Sequence, residues 1–181
     1  MSLLSARRLL KLIEDEVLVG SSEEFVNAAS IDVRLGSEFM LEYTDESTHK
    51  VWLKKREMPP TLKYRCKADY YIALKPGAFV LGHIQESLNL PDNISAQFIL
   101  KSSMGRAGLE HSFSGWVDAG YSGTLTLELS NVLQRHELVL TPGMRIGQIV
   151  FWEHEPVPEK YSYRTKGSYN GDTTVTGAKP R

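Results

Sequence analysis

The chain has 181 residues, with 21 lysines and arginines balanced by 22 aspartates and glutamates for a formal charge of −1. That length suits one compact domain with a proper core, and that balance carries no basic footprint for a nucleic-acid partner. No apolar run is long enough to cross a membrane and no signal-peptide pattern opens the sequence, which points to a cytoplasmic protein; the lone Cys66 excludes an internal disulfide framework.

Residues 5–16 (SARRLLKLIEDE) predict an amphipathic helix capped by Ser5, with Leu9, Leu10, Leu12 and Ile13 on its apolar stripe. Its first turn is basic and its last acidic, against the helix dipole, so docking on the rest of the chain must hold it. Leu18-Val19 is a short strand. From Ala29 to Leu35, the apolar Ile31, Val33 and Leu35 alternate with Asp32 and Arg34, a strand pattern. Residues 37–43 (SEFMLEY) predict another strand, and 44–68, polar and charged with Pro59-Pro60, a surface excursion. Tyr70 to Leu74 and Ala78 to Ile84 flank Lys75-Pro76-Gly77, a turn signature, and Leu90-Pro91-Asp92-Asn93 opens the next segment.

The stretch from Phe98 to Asn131 concentrates the chemistry. Phe98-Ile99-Leu100 reads as the end of a buried strand, and Lys101-Ser102-Ser103 follows before Gly105 and Gly108. Hydroxyls and free backbone N–H groups at a strand-to-turn junction, beside the cations Lys101 and Arg106, suit phosphate oxygens; a capped turn with a surface arginine fits the same residues. Gly115 to Gly123 (GWVDAGYSG) is a strand entering a glycine-rich turn. There Asp118 either bonds its own turn backbone or holds a sugar hydroxyl or a water, with Tyr121 packing on the sugar ring. From Thr124 to Ser130 the residues alternate, with Leu125, Leu127 and Leu129 on the core face and Thr124, Thr126, Glu128 and Ser130 on the other. Glu128 is then a solvated strand glutamate or, because glutamate is a poor strand former, a carboxylate facing a cavity.

Val132 to Leu140 and Ile146 to Phe151 flank a second turn, Thr141-Pro142-Gly143. Many short strands with evenly spaced turns and one terminal helix predict a mostly-β fold, a distorted β-barrel or jelly-roll-like arrangement, in one domain. From Tyr161 onward (YSYRTKGSYNGDTTVTGAKPR) the chain is polar, rich in glycine and short of apolar anchors, a flexible tail by composition.

Five blocks, ASIDVRLG (29–36), LKPGAFVLGHIQESLNLPDNI (74–94), KSSMGRAGL (101–109), GWVDAGYSGTLTLELSN (115–131) and PGMRIGQIVF (142–151), resemble in kind and order the dCTP deaminase family, whose fold is shared with the trimeric dUTPases. The resemblance implies hydrolytic deamination of dCTP to dUTP, supplying deoxyuridine nucleotides for dTMP synthesis. Gly115-Trp116 before Asp118 is similar to the branch that continues to dUMP. Zinc nucleobase deaminases need a His/Cys/Cys or three-cysteine site, which a chain with one cysteine cannot build, so the deamination implied is zinc-free. The implied metal is Mg²⁺, bound through the triphosphate.

Residue by residue, the resemblance makes Glu128 the group that takes a proton from water and returns one to the cytosine ring, work typically worth ~10²–10⁴-fold. Ser102 and Arg106 match residues that position the water and the glutamate from a neighbouring subunit, which implies a homotrimer with shared sites. Lys101 and Ser103 fall where triphosphate contacts are made, the lysine keeping the charge of the family's usual arginine without its fork. Asp118 and Tyr121 match the sugar-binding pair, and Gln148 a motif position. Ser114, with Phe113, falls where the family's base pocket is lined, Trp116 is a further nucleotide-binding position, and Tyr161, Lys166 and Tyr169 belong to a tail that closes over the nucleotide and excludes water. Asp32 and Arg34 match structural parts near the subunit interface. The chain departs from the family at Phe113-Ser114, where Thr-Ala is usual, and at Ser168-Tyr169-Asn170-Gly171-Asp172, where Lys-Tyr-x-x-Gln is usual. Lys166 is the candidate replacement cation, and Asp172 would repel a triphosphate without Mg²⁺. Two other readings stay open, a dUTP pyrophosphatase without deaminase activity and a non-catalytic nucleotide-binding homologue.

Overall fold

The computed structural model describes residues 1–42, 50–67, 69–112 and 115–179. Among these residues the chain is mostly strand, as expected, and every strand pairing is antiparallel. One five-stranded sheet is built on Arg145–Glu153, which pairs with Ile94–Leu100, Ile31–Arg34 and Ser2–Leu3; Trp116–Val117 joins beyond Ile94–Leu100. The other runs in the order Leu109–His111, Thr126–Asn131, Phe79–His83, Glu38–Glu42, Thr61–Arg65. Their inner faces meet in one core, to which Ile149, Phe98 and Phe151 come from the first sheet and Leu127, Leu129, Val80 and Phe39 from the second. Smaller ribbons, Ser122–Gly123 with Ser87–Asn89 and Leu18–Val19, and Leu138–Leu140 with Ile72–Leu74, close the ends.

The helix is Ala6–Glu14, docked by the buried Leu9 and Leu12. Ser5 stands at its N-cap, but its side chain makes no capping bond. Backbone contacts do that work: Ala6 N–H donates to the Ala28 carbonyl at 2.9 Å, and the Ser5 carbonyl accepts from Leu9 at 3.0 Å. An ion pair of 2.7 Å between Arg8 and Glu153 adds to the docking.

The region 44–68, expected as surface excursion, holds the strand Thr61–Arg65, paired with Glu38–Glu42 over five residues. It lies at the sheet's edge with almost all its side chains in solvent, Leu62 and Tyr64 among them, so its alternation of apolar with polar residues marks no buried face. Residues 43–49 and 68 lie outside the described residues. The two Pro-Gly turns do not close hairpins. Each passes the chain from one sheet to another, and the strands before them, Ile72–Leu74 and Leu138–Leu140, pair with each other. Gly77 and Gly143 take φ of +75° and +83° there, a left-handed conformation that favours glycine.

The segment after Tyr161 is docked. Ser162 is buried, its hydroxyl donating to Asp92 at 2.6 Å and accepting from the Arg164 N–H. Tyr163–Lys166 is a short helix. Asp172 bridges to Gly123 in parallel, Thr174 bonds Glu38, and Val175 buries itself against Met40 and Leu81. A few anchors at long intervals hold a segment whose composition reads as a flexible tail.

Candidate active site

The strand Thr126–Asn131 is the spine of the site. Leu127 and Leu129 point into the core, while Thr126 and Glu128 face the other way into a cavity of about 680 Å³. The Glu128 side chain keeps 31% of its exposure, so of the two sequence readings the cavity-facing one holds. His111, on the neighbouring strand, brings Nε2 to 3.3 Å from a Glu128 carboxylate oxygen. The distance suits an ion pair if the ring is protonated, but the alignment falls short of a hydrogen bond. His111 is buried and packs edge-on to Phe98 with ring centroids 4.8 Å apart, so it limits where the carboxylate can swing.

Asp118, Trp116 and Tyr121 line the same cavity. Asp118 receives the indole N–H of Trp116 on Oδ1 at 2.9 Å, which fixes one carboxylate oxygen and leaves the other for a ligand donor. The turn after it needs Gly120, whose φ is +84° and where a Cβ would fall 2.1 Å from the Ser162 hydroxyl. Tyr121 is buried, and its hydroxyl donates to the Thr124 carbonyl at 2.7 Å. Burial first, then Asp172 and Tyr163, pushes its phenol well above the ordinary range, so it stays protonated. Burial likewise raises Tyr163, whose ring lies 5.4 Å from that of Tyr121.

The tail supplies another wall through Tyr169, Asp172 and Thr176. Asp172 is paired with Lys179 at 2.6 Å, which answers the repulsion expected of a carboxylate beside a triphosphate. The partner is Lys179 and not Lys166, which stands with Lys160 over the ring of Tyr161. Tyr161 is 61% exposed, and neither it nor Lys166 lines the cavity.

The other expected phosphate and water-positioning residues also lie outside this cavity. Arg106 donates to the Ser102 hydroxyl at 3.2 Å, and both are exposed with Ser103 on the short helix Ser102–Arg106. Lys101 donates to Asp32 at 2.6 Å, and Arg145 approaches the same oxygen at 3.6 Å. Asp32, expected on the polar side of its strand, is only 2% exposed, because both faces of that strand are covered. Gln148 stands opposite Asp32 and accepts from the Ser30 hydroxyl at 2.8 Å. One chain therefore gathers the expected residues into two groups: Glu128, Asp118, Trp116, Tyr121 and Tyr169 at the cavity, and Lys101, Ser102, Ser103, Arg106 and Gln148 away from it. Ser114, with Phe113, lies outside the described residues. The sequence reading gave no role to His111 or to Leu81, which stands directly opposite Glu128; the hydrophobic pattern marks their strands, but only the register reveals them as neighbours of Glu128.

The dCTP deaminase-like family model matches residues 3–154. The chain is 36% identical over 154 residues to a protein of Methanospirillum hungatei named "dCTP deaminase, dUMP-forming", covering 84% of this chain and 81% of that one. It is 34% identical over 179 residues to one of the same name in Persephonella marina, covering 98% and 96%. A solved structure, the 2′-deoxycytidine 5′-triphosphate deaminase of Agrobacterium tumefaciens, superimposes with a TM-score of 0.62 at 26% identity, over 82% of this chain and 48% of that one. Likeness of this extent, running through the strands that form the cavity, makes the chain a member of the dCTP deaminase-like family.

Proposed function

We propose that the chain is a hydrolytic dCTP deaminase whose product proceeds to dUMP and diphosphate, working in the cytoplasm. The observation that carries the reading is the Glu128 carboxylate in one cavity with Asp118 and Tyr121, on the scaffold of this family. The names of the relatives in Methanospirillum and Persephonella support the dUMP product.

In the reaction, Asp118 accepts the sugar 3′-hydroxyl, the only free hydroxyl of a deoxynucleoside triphosphate, and Tyr121 closes on the sugar ring. Glu128 takes a proton from water as its oxygen adds to C4 of cytosine, and delivers a proton to N3. Ammonia then departs from C4. His111 holds the carboxylate in its working orientation from the side.

Among the described residues no three or more His, Cys, Asp or Glu side chains converge to hold a metal ion. In this reading Mg²⁺ enters with the triphosphate, whose charge it neutralises, and every step above uses the chain's own groups. Lys101, Ser102, Ser103, Arg106 and Gln148 serve the cavity of a neighbouring copy, in a homotrimer whose sites are shared. Tyr161, Lys166 and Tyr169 belong to the covering tail.

Chromatography of the products from dCTP and Mg²⁺ tests the reading, with ammonia and dUMP expected. Glu128→Gln should lower ammonia release by about 10²-fold or more while nucleotide binding persists. Undiminished release from that variant overturns the assignment. Diphosphate from dUTP without ammonia from dCTP identifies a pyrophosphatase, and binding without either product a non-catalytic homologue.

A further inference from the structure

Glu128 stands between two unlike walls. Its strand pairs on one side with Leu109–His111 and on the other with Phe79–His83. On the first side lies the imidazole of His111, 3.3 Å from the carboxylate. On the second, Glu128 is directly opposite Leu81, and Leu81 directly opposite Met40, so the three side chains share one sheet face. Neighbouring strands stand ~4.8 Å apart, so this apolar floor extends ~10 Å from the strand of Glu128. Val175 and Met58 pack onto Met40 and Leu81. Met40, Met58, Phe79 and Leu81 all line the cavity that Glu128 lines, which gives it an apolar lobe beside the carboxylate.

Cytosine has the same asymmetry. Its O2, N3 and N4 form a polar edge and C5 and C6 an apolar one, and C4 lies between N3 and C5. A polar edge buried against leucine and methionine loses its hydrogen bonds, whereas C5–H and C6–H lose nothing there. With C4 at Glu128, C5 turns to Leu81 and Met40 and the polar edge turns away from them.

We propose that this lobe admits a substituent at C5, so that 5-alkylated deoxycytidine triphosphates, with 5-methyl-dCTP the simplest, are substrates of the same site. The proposal rests on the deaminase reading. Methionines at 40 and 58 suit the task, because unbranched side chains with soft sulfurs rearrange around an added group at small cost. The reaction balances as for dCTP. A water oxygen bonds to C4 and the C4–N4 bond breaks. One water proton goes to N3 and the other to the departing amine, leaving ammonia and thymidine triphosphate, which then proceeds to the monophosphate as the product from dCTP does, with no change of oxidation state.

The test compares dCTP with 5-methyl-dCTP in ammonia-release assays of the full chain with Mg²⁺. The expected kcat/KM for 5-methyl-dCTP lies within about tenfold of that for dCTP, the smallest penalty a pocket closed against one methyl imposes. Met58→Trp, which fills the lobe, should raise the preference for dCTP over 5-methyl-dCTP in kcat/KM by about tenfold or more, whatever it does to both together. Discrimination of more than about a hundredfold against 5-methyl-dCTP while dCTP is turned over overturns the proposal, as does competitive binding without ammonia release. Equal losses for both substrates in Met58→Trp also overturn it. If dCTP itself yields no ammonia, the deaminase reading has failed instead. Calorimetry then judges the lobe: 5-methyl-dCTP binding at least as tightly as dCTP supports it, and weaker binding overturns it.

Discussion

Tyr121 places an aromatic ring at the cavity while its hydroxyl is committed to the Thr124 carbonyl. Replacing it with phenylalanine keeps the ring and strands a buried acceptor, so Tyr121→Phe should destabilise by about 1–3 kcal/mol in chemical denaturation, with a smaller effect on KM than on stability. His83 makes a separate prediction. Its Nδ1 donates to the Ile84 carbonyl at 2.7 Å and its Nε2 accepts the Glu38 N–H at 3.3 Å, which is the neutral ring. Burial lowers its pKa below the ordinary value, outweighing the Ile84 carbonyl and Glu38, with Arg65 adding a small push in the same direction. Gly36 lies so close that a Cβ there would fall 2.2 Å from the ring, so only glycine fits beside it. A group with a depressed folded pKa binds fewer protons folded than unfolded, so its contribution is full above about pH 6.5 and is lost as pH falls below it. The melting temperature should therefore drop as pH falls below about 6.5, and the imidazole should titrate below 6.5 by NMR.

At the scale of elements, the strand Thr126–Asn131 works because one period serves two purposes, with leucines anchoring it and the intervening residues facing a chamber. The segment Ile84 to Glu86 supports it from behind. The buried Glu86 takes the Arg34 Nε at 2.7 Å and the Arg34 backbone N–H at 2.9 Å, while the Thr124 hydroxyl is shared between the Ile84 and Glu86 carbonyls. Glu86→Ala leaves Arg34 without its counter-charge and should cost about 3–5 kcal/mol in equilibrium unfolding. This arrangement shows where the sequence was legible. Alternation from Leu125 to Ser130 marked the strand and turned Glu128 outward, because one face is core and the other is not. Thr124, counted on the polar face, is buried instead, its hydroxyl satisfied by the Ile84 and Glu86 carbonyls. Asp32 and Thr61–Arg65 escaped the reading for opposite reasons, one strand being covered on both faces and the other on neither. That Leu81 stands opposite Glu128, and that His111, opposite Leu129, comes within reach of its carboxylate, depends on register between separate strands, which no local period encodes.

The whole molecule divides its expected site residues between a cavity and a separate group around Lys101, Ser102 and Arg106. If these are halves of sites shared in a ring, Glu128→Gln and Arg106→Ala are each inactive alone, yet mixing and reassembling them should restore about a quarter of wild-type activity, because one of four random pairings joins two intact halves. No recovery, or a purely monomeric species in sedimentation, would count against shared sites. The resemblance alone supplies this division of labour; in one chain the two groups simply lie apart.

The terminal segment is sewn to the same ribbon that carries Glu128. Gly171 N–H reaches the Ser122 carbonyl at 2.7 Å, Thr124 N–H reaches the Asp172 carbonyl at 2.7 Å, and Thr176 N–H reaches the Thr126 hydroxyl at 3.1 Å. Peeling this seam would bare the amides of Thr124, Gly171 and Thr176 together, so deuterium uptake at those three positions acts as a clock for its unfastening. Saturating nucleotide should slow that clock at all three in step.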